Sequence, residues 1–134
     1  MVQLATMDKI LGIDFGERKV GLAINSGTLA SPLAVIRYKN IRTLVDRLKK
    51  VVKDYEIERI MVGVSEGKSA ENAREFGKRL AEELCLNVGF IDETLSTQDV
   101  QRLAIEAGIK RKRRREMEDA FAASLILQKF LDSG

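Results

Sequence analysis

The 134-residue chain has no histidine, no tryptophan, a single cysteine, a single proline and only 5% aromatic residues. Without histidine there is no Ser-His-Asp or Cys-His nucleophilic system, no His-liganded zinc and no imidazole acid–base catalyst. Cys85, alone, forms neither an internal disulfide nor a cysteine-rich zinc site, and one unpaired thiol suits a reducing, cytoplasmic setting. No run approaches the roughly 18 apolar residues of a membrane span, and the first ten residues lack a secretory signal, so no membrane partner is expected. Few aromatics and no tryptophan argue against a base-stacking platform of the RRM or OB type. Any chemistry falls to carboxylates, hydroxyls, lysines or a bound metal.

What is present is 45% apolar and 32% charged residues. At this length they predict one domain over residues 1–134, able to fold without a disulfide or structural metal. Residues 1–6, ahead of a second methionine at Met7, read as a start-site extension or a disordered tail. The net charge is +3, yet Lys110, Arg111, Lys112, Arg113, Arg114 and Arg115 are six consecutive cations. Taking six from +3 leaves −3 for the rest of the chain, so local charge is the better guide to partners. This segment reads as a nucleic-acid-binding element, with a solvated surface run as the plainer alternative.

Short apolar runs at Ile10–Ile13, Val20–Ile24 and Leu29–Tyr38, separated by turn residues, predict three hairpin-linked strands. Pro32 makes the third an edge strand or bends it. The period then changes. Ile41, Leu44, Val45, Leu48, Val51, Val52 and Tyr55 trace one face of an amphipathic helix. Arg59–Val64 reads as a buried strand, Ala73–Leu84 as a helix with Cys85 packed at its end, and Val88–Ile91 as a strand. Ser96, with Asp99 three residues on, caps a helix that Gly108 stops. Met117–Leu131 is a last, strongly apolar helix. The order β-β-β-α-β-α-β-α-α predicts an α/β fold: a mixed five-stranded sheet, three strands antiparallel and then two parallel, with helices on both faces.

Acidic residues stand at three places where an apolar residue or a chain end belongs. Asp14 continues the first, central strand, where a carboxylate is costly unless paired, hydrogen-bonded or bound to a cation. Gly16, two residues on, removes a side chain and lets a ligand approach the backbone. A turn-initiating Asp before Gly is the alternative. Asp92 and Glu93 end the last strand, at the sheet edge where open α/β folds bind ligands; bonding to the following turn would also explain them. Asp119 lies nine residues from Gln128, about 900° at roughly 100° per residue. With Gln128 and Ser124 on the solvent side, Asp119 points to the sheet, although the helix dipole alone would favour an acid there. Three carboxylates meeting at one sheet edge suit Mg²⁺ or Mn²⁺, and two such ions about 3.5–4 Å apart drive phosphodiester hydrolysis without histidine.

Gly12-Ile13-Asp14-Phe15-Gly16 with Val20-Gly21-Leu22-Ala23 resembles the first hairpin of the YqgF/RuvX family. Ile60-Met61-Val62-Gly63-Val64 is similar to its fourth strand. Asp92-Glu93-Thr94-Leu95-Ser96-Thr97 resembles its D-E-R-L-S/T-T segment, and Asp119-Ala120-Phe121-Ala122-Ala123 its D-x-A-A-A helix start. The resemblance implies an RNase H-like three-layer fold and a nuclease of one of two kinds: Holliday-junction-resolvase-like, or maturing the 5′ end of pre-16S rRNA. It implies Asp14, Glu93 and Asp119 as catalytic acids, with Asp92 also matching, and leaves open which of Asp92 and Glu93 faces the metals. Two departures stand out: Thr94 replaces the family's Arg, and Ser65-Glu66-Gly67 follows the fourth strand where a G-L-P segment is usual. Glu66 is thereby a further candidate metal ligand.

The basic segment precedes Asp119 and should lie at the mouth of the acidic site, gripping phosphates of pre-rRNA or branched DNA. Ribosomal particles are candidate partners. Symmetric junction cleavage would need a dimer and rRNA trimming would not; a monomer or weak homodimer is expected. A D-x-G strand-turn-strand also opens sugar kinases and actin-like ATPases, but 134 residues cannot supply their second lobe. A non-catalytic nucleic-acid or ribosome-associated module with the same fold is the alternative function.

Overall fold

The computed structural model describes residues 8–64, 68–92 and 116–133. Within them the chain runs β1 (Ile10–Phe15), β2 (Lys19–Ser26), β3 (Leu29–Arg37), α1 (Ile41–Asp54), β4 (Arg59–Val64), α2 (Lys68–Leu84), β5 (Asn87–Asp92) and α3 (Glu118–Ser133). The strands form one sheet in the order β3-β2-β1-β4-β5. β1–β2 and β2–β3 pair antiparallel, and β1–β4 and β4–β5 parallel, which is the mixed sheet the sequence predicts. The helix expected after Ser96 and the tail 1–6 lie outside the described residues.

β1 is central, and a strand covered on both faces must be apolar; Ile10 through Ile13 are accordingly all buried. Pro32 lies in the edge strand β3 opposite Ala23, where the register slips between Leu22 and Ala23. Edge position and bend occur together, and both relieve the missing N–H of proline. Gly27, at φ 61°, supplies the left-handed residue of the two-residue turn that joins Ser26 to Leu29.

Alternation along the strands sends side chains to two cores. Leu11, Ile13, Val20, Leu22, Ile60, Val62 and Val64 face α1 and α2, packing on Leu44, Val45, Leu48, Phe76 and Leu80. Each such large side chain contributes about 1.5–3 kcal/mol on full burial. Ile10, Ala23 and Met61 face the other way, onto Ala123 and Leu127 of α3. This second core is built from smaller residues, so the helix can lie close to the sheet.

Three details depart from the expectations drawn from sequence. The α1 stripe stops short of Tyr55, which is 42% exposed beyond the helix end, because Glu56 turns left-handed at φ 54° and redirects the chain. Cys85 is exposed rather than packed: it too is left-handed, at φ 55°, and leaves the helical path at the end of α2. Ser124 is buried, since its hydroxyl donates to the Phe121 carbonyl at 2.7 Å and needs no water. Gln128 accepts the Ala30 N–H at 2.8 Å and donates to the Thr28 carbonyl at 2.9 Å, pinning α3 to the β2–β3 hairpin. Among the described residues no helix is long and apolar enough to cross a membrane.

Candidate active site

Ile10, Gly12 and Asp14 share the sheet face that α3 covers. Asp14, half-buried, stands near the carboxyl end of the central strand and pairs with Gly21 on β2 and Gly63 on β4. Its two cross-strand neighbours therefore add no side chain to that face.

α3 is seated directly on this floor. A Cβ on Gly12 would stand 2.9 Å from the Leu127 Cβ, and one on Gly21 only 1.8 Å from the Asp119 carbonyl oxygen. The first turn of α3 thus rests against the backbone of β2, on the residue paired with Asp14. That contact brings Asp119 to the same face as Asp14. The Asp119 carboxylate meets the Lys19 ammonium at 3.0 Å, with side chains 27% and 41% exposed. It also lies in the first turn of its helix, where the dipole favours negative charge. A partly exposed ion pair is worth about 1 kcal/mol or less, so a divalent cation could displace the ammonium.

Asp92 is placed differently. It pairs with Val64, which belongs to the core under α1 and α2, whereas its neighbour Ile91 pairs with Gly63 and packs on the α3 side. Asp92 is exposed and shares the parity of Val64, on the face opposite Asp14. Its carbonyl accepts a hydrogen bond from the Lys129 ammonium at 2.8 Å, tying the end of β5 to α3. Glu93, Glu66 and the basic segment Lys110–Arg115 lie outside the described residues.

Among the described residues no three His, Cys, Asp or Glu side chains cluster closely enough to hold a metal. The two acids on the α3 face nevertheless have the right donor chemistry for Mg²⁺ or Mn²⁺: hard carboxylate oxygens, with a cation already resting on one of them. Lys19 belongs to none of the sequence motifs. Its signal is strand parity, since Lys19 precedes Gly21 by two residues and so shares the face of Asp14. Gly16 lies just past β1; a Cβ there would be 2.7 Å from the Lys19 carbonyl, and its own carbonyl accepts the Tyr38 hydroxyl. The tight β1–β2 turn requires this glycine independently of any ligand.

A family model described as "RuvX: Holliday junction resolvase" matches residues 8–133. A protein of Ruegeria sp. (strain TM1040), whose curated description is "Putative pre-16S rRNA nuclease", is 38% identical over 137 residues, covering 96% of this chain and 87% of its own. A protein of Pelotomaculum thermopropionicum with the same description is 40% identical over 134 residues, covering 93% and 87%. Among solved structures, Thermus thermophilus RuvC in complex with a Holliday junction substrate superposes with a TM-score of 0.63 at 16% identity, covering 94% of each chain. At that identity the likeness is one of fold, and the fold is RNase H-like.

Proposed function

The chain belongs to the RuvX family, and from that membership we propose that it is a metal-dependent endonuclease trimming the 5′ end of pre-16S rRNA. The observation that carries the reading is the convergence of Asp14 and Asp119 on one sheet face, the first turn of α3 being seated on Gly21, the β2 partner of Asp14. The curated relatives' description supports rRNA as the substrate. The family model's description supports a second reading, cleavage of branched DNA.

Asp14, Asp119 and Glu93 would hold Mg²⁺ or Mn²⁺. Asp92, on the opposite parity, is left out of the set in favour of Glu93, and Glu66 is a further candidate ligand. When bound, the metal supplies an activated water and stabilises the leaving oxygen, work for which no histidine is needed. Asp14 is held rigidly by its pairing on both sides. Asp119 is held by the seat of α3, and Lys19 balances its charge until a stronger cation arrives. The segment Lys110–Arg115 grips the phosphate backbone, giving affinity without sequence choice. We place this activity in the cytoplasm, on ribosomal precursor particles.

The test compares a 16S rRNA fragment carrying a 5′ extension with a four-way DNA junction, each with Mg²⁺, with Mn²⁺ and with EDTA. The expected result is shortening of the RNA at its 5′ side, dependent on metal and lost in Asp14→Asn. Cleavage of the junction alone moves the substrate to DNA. No metal-dependent cleavage of either, with binding retained, identifies a non-catalytic module.

A further inference from the structure

On the other side of the sheet edge from Asp14 lies a pocket of about 370 Å³, within the range of roughly 300–1,000 Å³ typical of small-molecule sites. Phe15, Tyr38 and Phe76 line it, three of only seven Phe and Tyr residues in the chain. Phe15 and Phe76 stack with centroids 4.3 Å apart and planes 15° apart, and Tyr38 stands 6.4 Å from Phe15 at 25°. The low aromatic content that argues against a stacking platform on average conceals this local concentration.

The polar groups around the rings are Glu17, Glu75, Asn72 and Arg79. Arg79 is already engaged by Glu83 at 2.7 Å, so the lining is acidic on balance and unsuited to a phosphate. Carboxylates and a carboxamide instead suit the N–H groups on the edge of a nucleobase. Tyr38 is held in place by its hydroxyl, which donates to the Gly16 carbonyl. Burial, and then the nearby Glu17 carboxylate, keep its phenol above the ordinary tyrosine range and therefore protonated for that bond.

The pocket's position gives it a use. Phe15 directly follows Asp14, and consecutive strand residues point to opposite faces with Cα atoms about 3.8 Å apart. A strand crossing the carboxyl edge of β1 can set a phosphate on the Asp14 side and turn the attached base over the edge. We propose that this pocket receives one unpaired, amino-bearing base adjacent to the cleaved phosphate. The proposal rests on the nuclease reading and adds to it a requirement: the nucleotide beside the cut is extrahelical. Unpaired bases enter such a pocket at least cost, because they are already unpaired and easily unstacked.

The probe is a duplex RNA with a single unpaired 2-aminopurine and a terminal fluorescein, bound in EDTA so that nothing is cut. Anisotropy of fluorescein reports binding; 2-aminopurine fluorescence reports stacking. The wild type should bind and quench the 2-aminopurine severalfold. Tyr38→Leu should bind within about twofold of wild type with the quench lost, and Tyr38→Phe should restore the quench. Asn72→Trp, which fills the pocket without removing a core ring, should also abolish it at an unchanged melting temperature. Binding without quenching, or quenching that survives both Tyr38→Leu and Asn72→Trp, overturns the pocket and leaves the nuclease reading intact. Absence of binding to the RNA overturns the pocket together with RNA as the substrate.

Discussion

Replacing Gly21 with alanine tests how the two acids are brought together. The new Cβ would lie 1.8 Å from the Asp119 carbonyl oxygen, 2.1 Å from its carbon and 2.7 Å from the Ala120 nitrogen. All three are backbone atoms, so no rotamer change relieves the clash. Restoring even 3.0 Å from 1.8 Å needs a shift of about 1.2 Å. β2 is paired on both sides, by β1 and β3, so the first turn of α3 is the part that yields. Overpacking of this kind costs about 1–3 kcal/mol. For a domain of this size that lowers the Tm by about 4–11 °C. Displacing a catalytic carboxylate by about 1 Å should reduce single-turnover cleavage by about 10²-fold. Gly12→Ala is the control: its Cβ would meet the Leu127 Cβ at 2.9 Å and the Ala123 carbonyl at 3.1 Å, which a shift of tenths of an ångström relieves. Calorimetry and cleavage should show a smaller Tm drop and activity within a few-fold of wild type for Gly12→Ala. Equal effects from the two, or wild-type cleavage by Gly21→Ala, would refute the argument that the Gly21 contact positions Asp119.

Lys19→Met removes the ammonium that a metal must displace from Asp119. At about 1 kcal/mol or less for the pair, Mn²⁺ should bind up to about fivefold tighter by calorimetry on the free protein, and weaker binding would contradict it. The Glu83 carboxyl is held below its ordinary range by the hydrogen bond from Arg79, and then by the charges of Arg79, Arg42 and Lys49. A lowered carboxylate stabilises the fold above its unfolded pKa and loses that contribution as pH falls through the folded value. Glu83→Gln should therefore be less stable than wild type to urea at pH 7, with the two converging as the pH falls through the lowered Glu83 value, and a gap that widens in acid would reverse the sign. Neutralising Arg113, Arg114 and Arg115 should weaken RNA binding and flatten its salt dependence by about 0.7–0.9 in log–log slope for each phosphate no longer neutralised. An unchanged slope would take the segment off the nucleic acid.

The sheet was legible because its signals are local and periodic: apolar runs interrupted by glycine, one proline on the edge strand, and a change of period at Ile41. The face of Asp14 could be read from alternation along β1. What periodicity could not supply was register. The assignment of Asp92 to the opposite face depends on its pairing with Val64, and the seat of Asp119 on the backbone of Gly21 depends on tertiary packing. Ser124 misled because a hydroxyl bonded within its own helix is buried at little cost, so a polar residue does not by itself mark a solvent face. Cys85 misled because a left-handed residue ends α2 without the glycine that usually announces one. The aromatic pocket escaped because Phe15, Tyr38 and Phe76 are distant in sequence and meet only in the fold.

The central claim is that Asp14 and Asp119 act on one face of the sheet and Asp92 does not. Calorimetric Mn²⁺ binding to wild type, Asp14→Asn, Asp119→Asn and Asp92→Asn tests it directly. The account predicts at least tenfold weaker binding for the first two variants and wild-type affinity for Asp92→Asn. Loss of binding in Asp92→Asn, or its retention in both Asp14→Asn and Asp119→Asn, would contradict it.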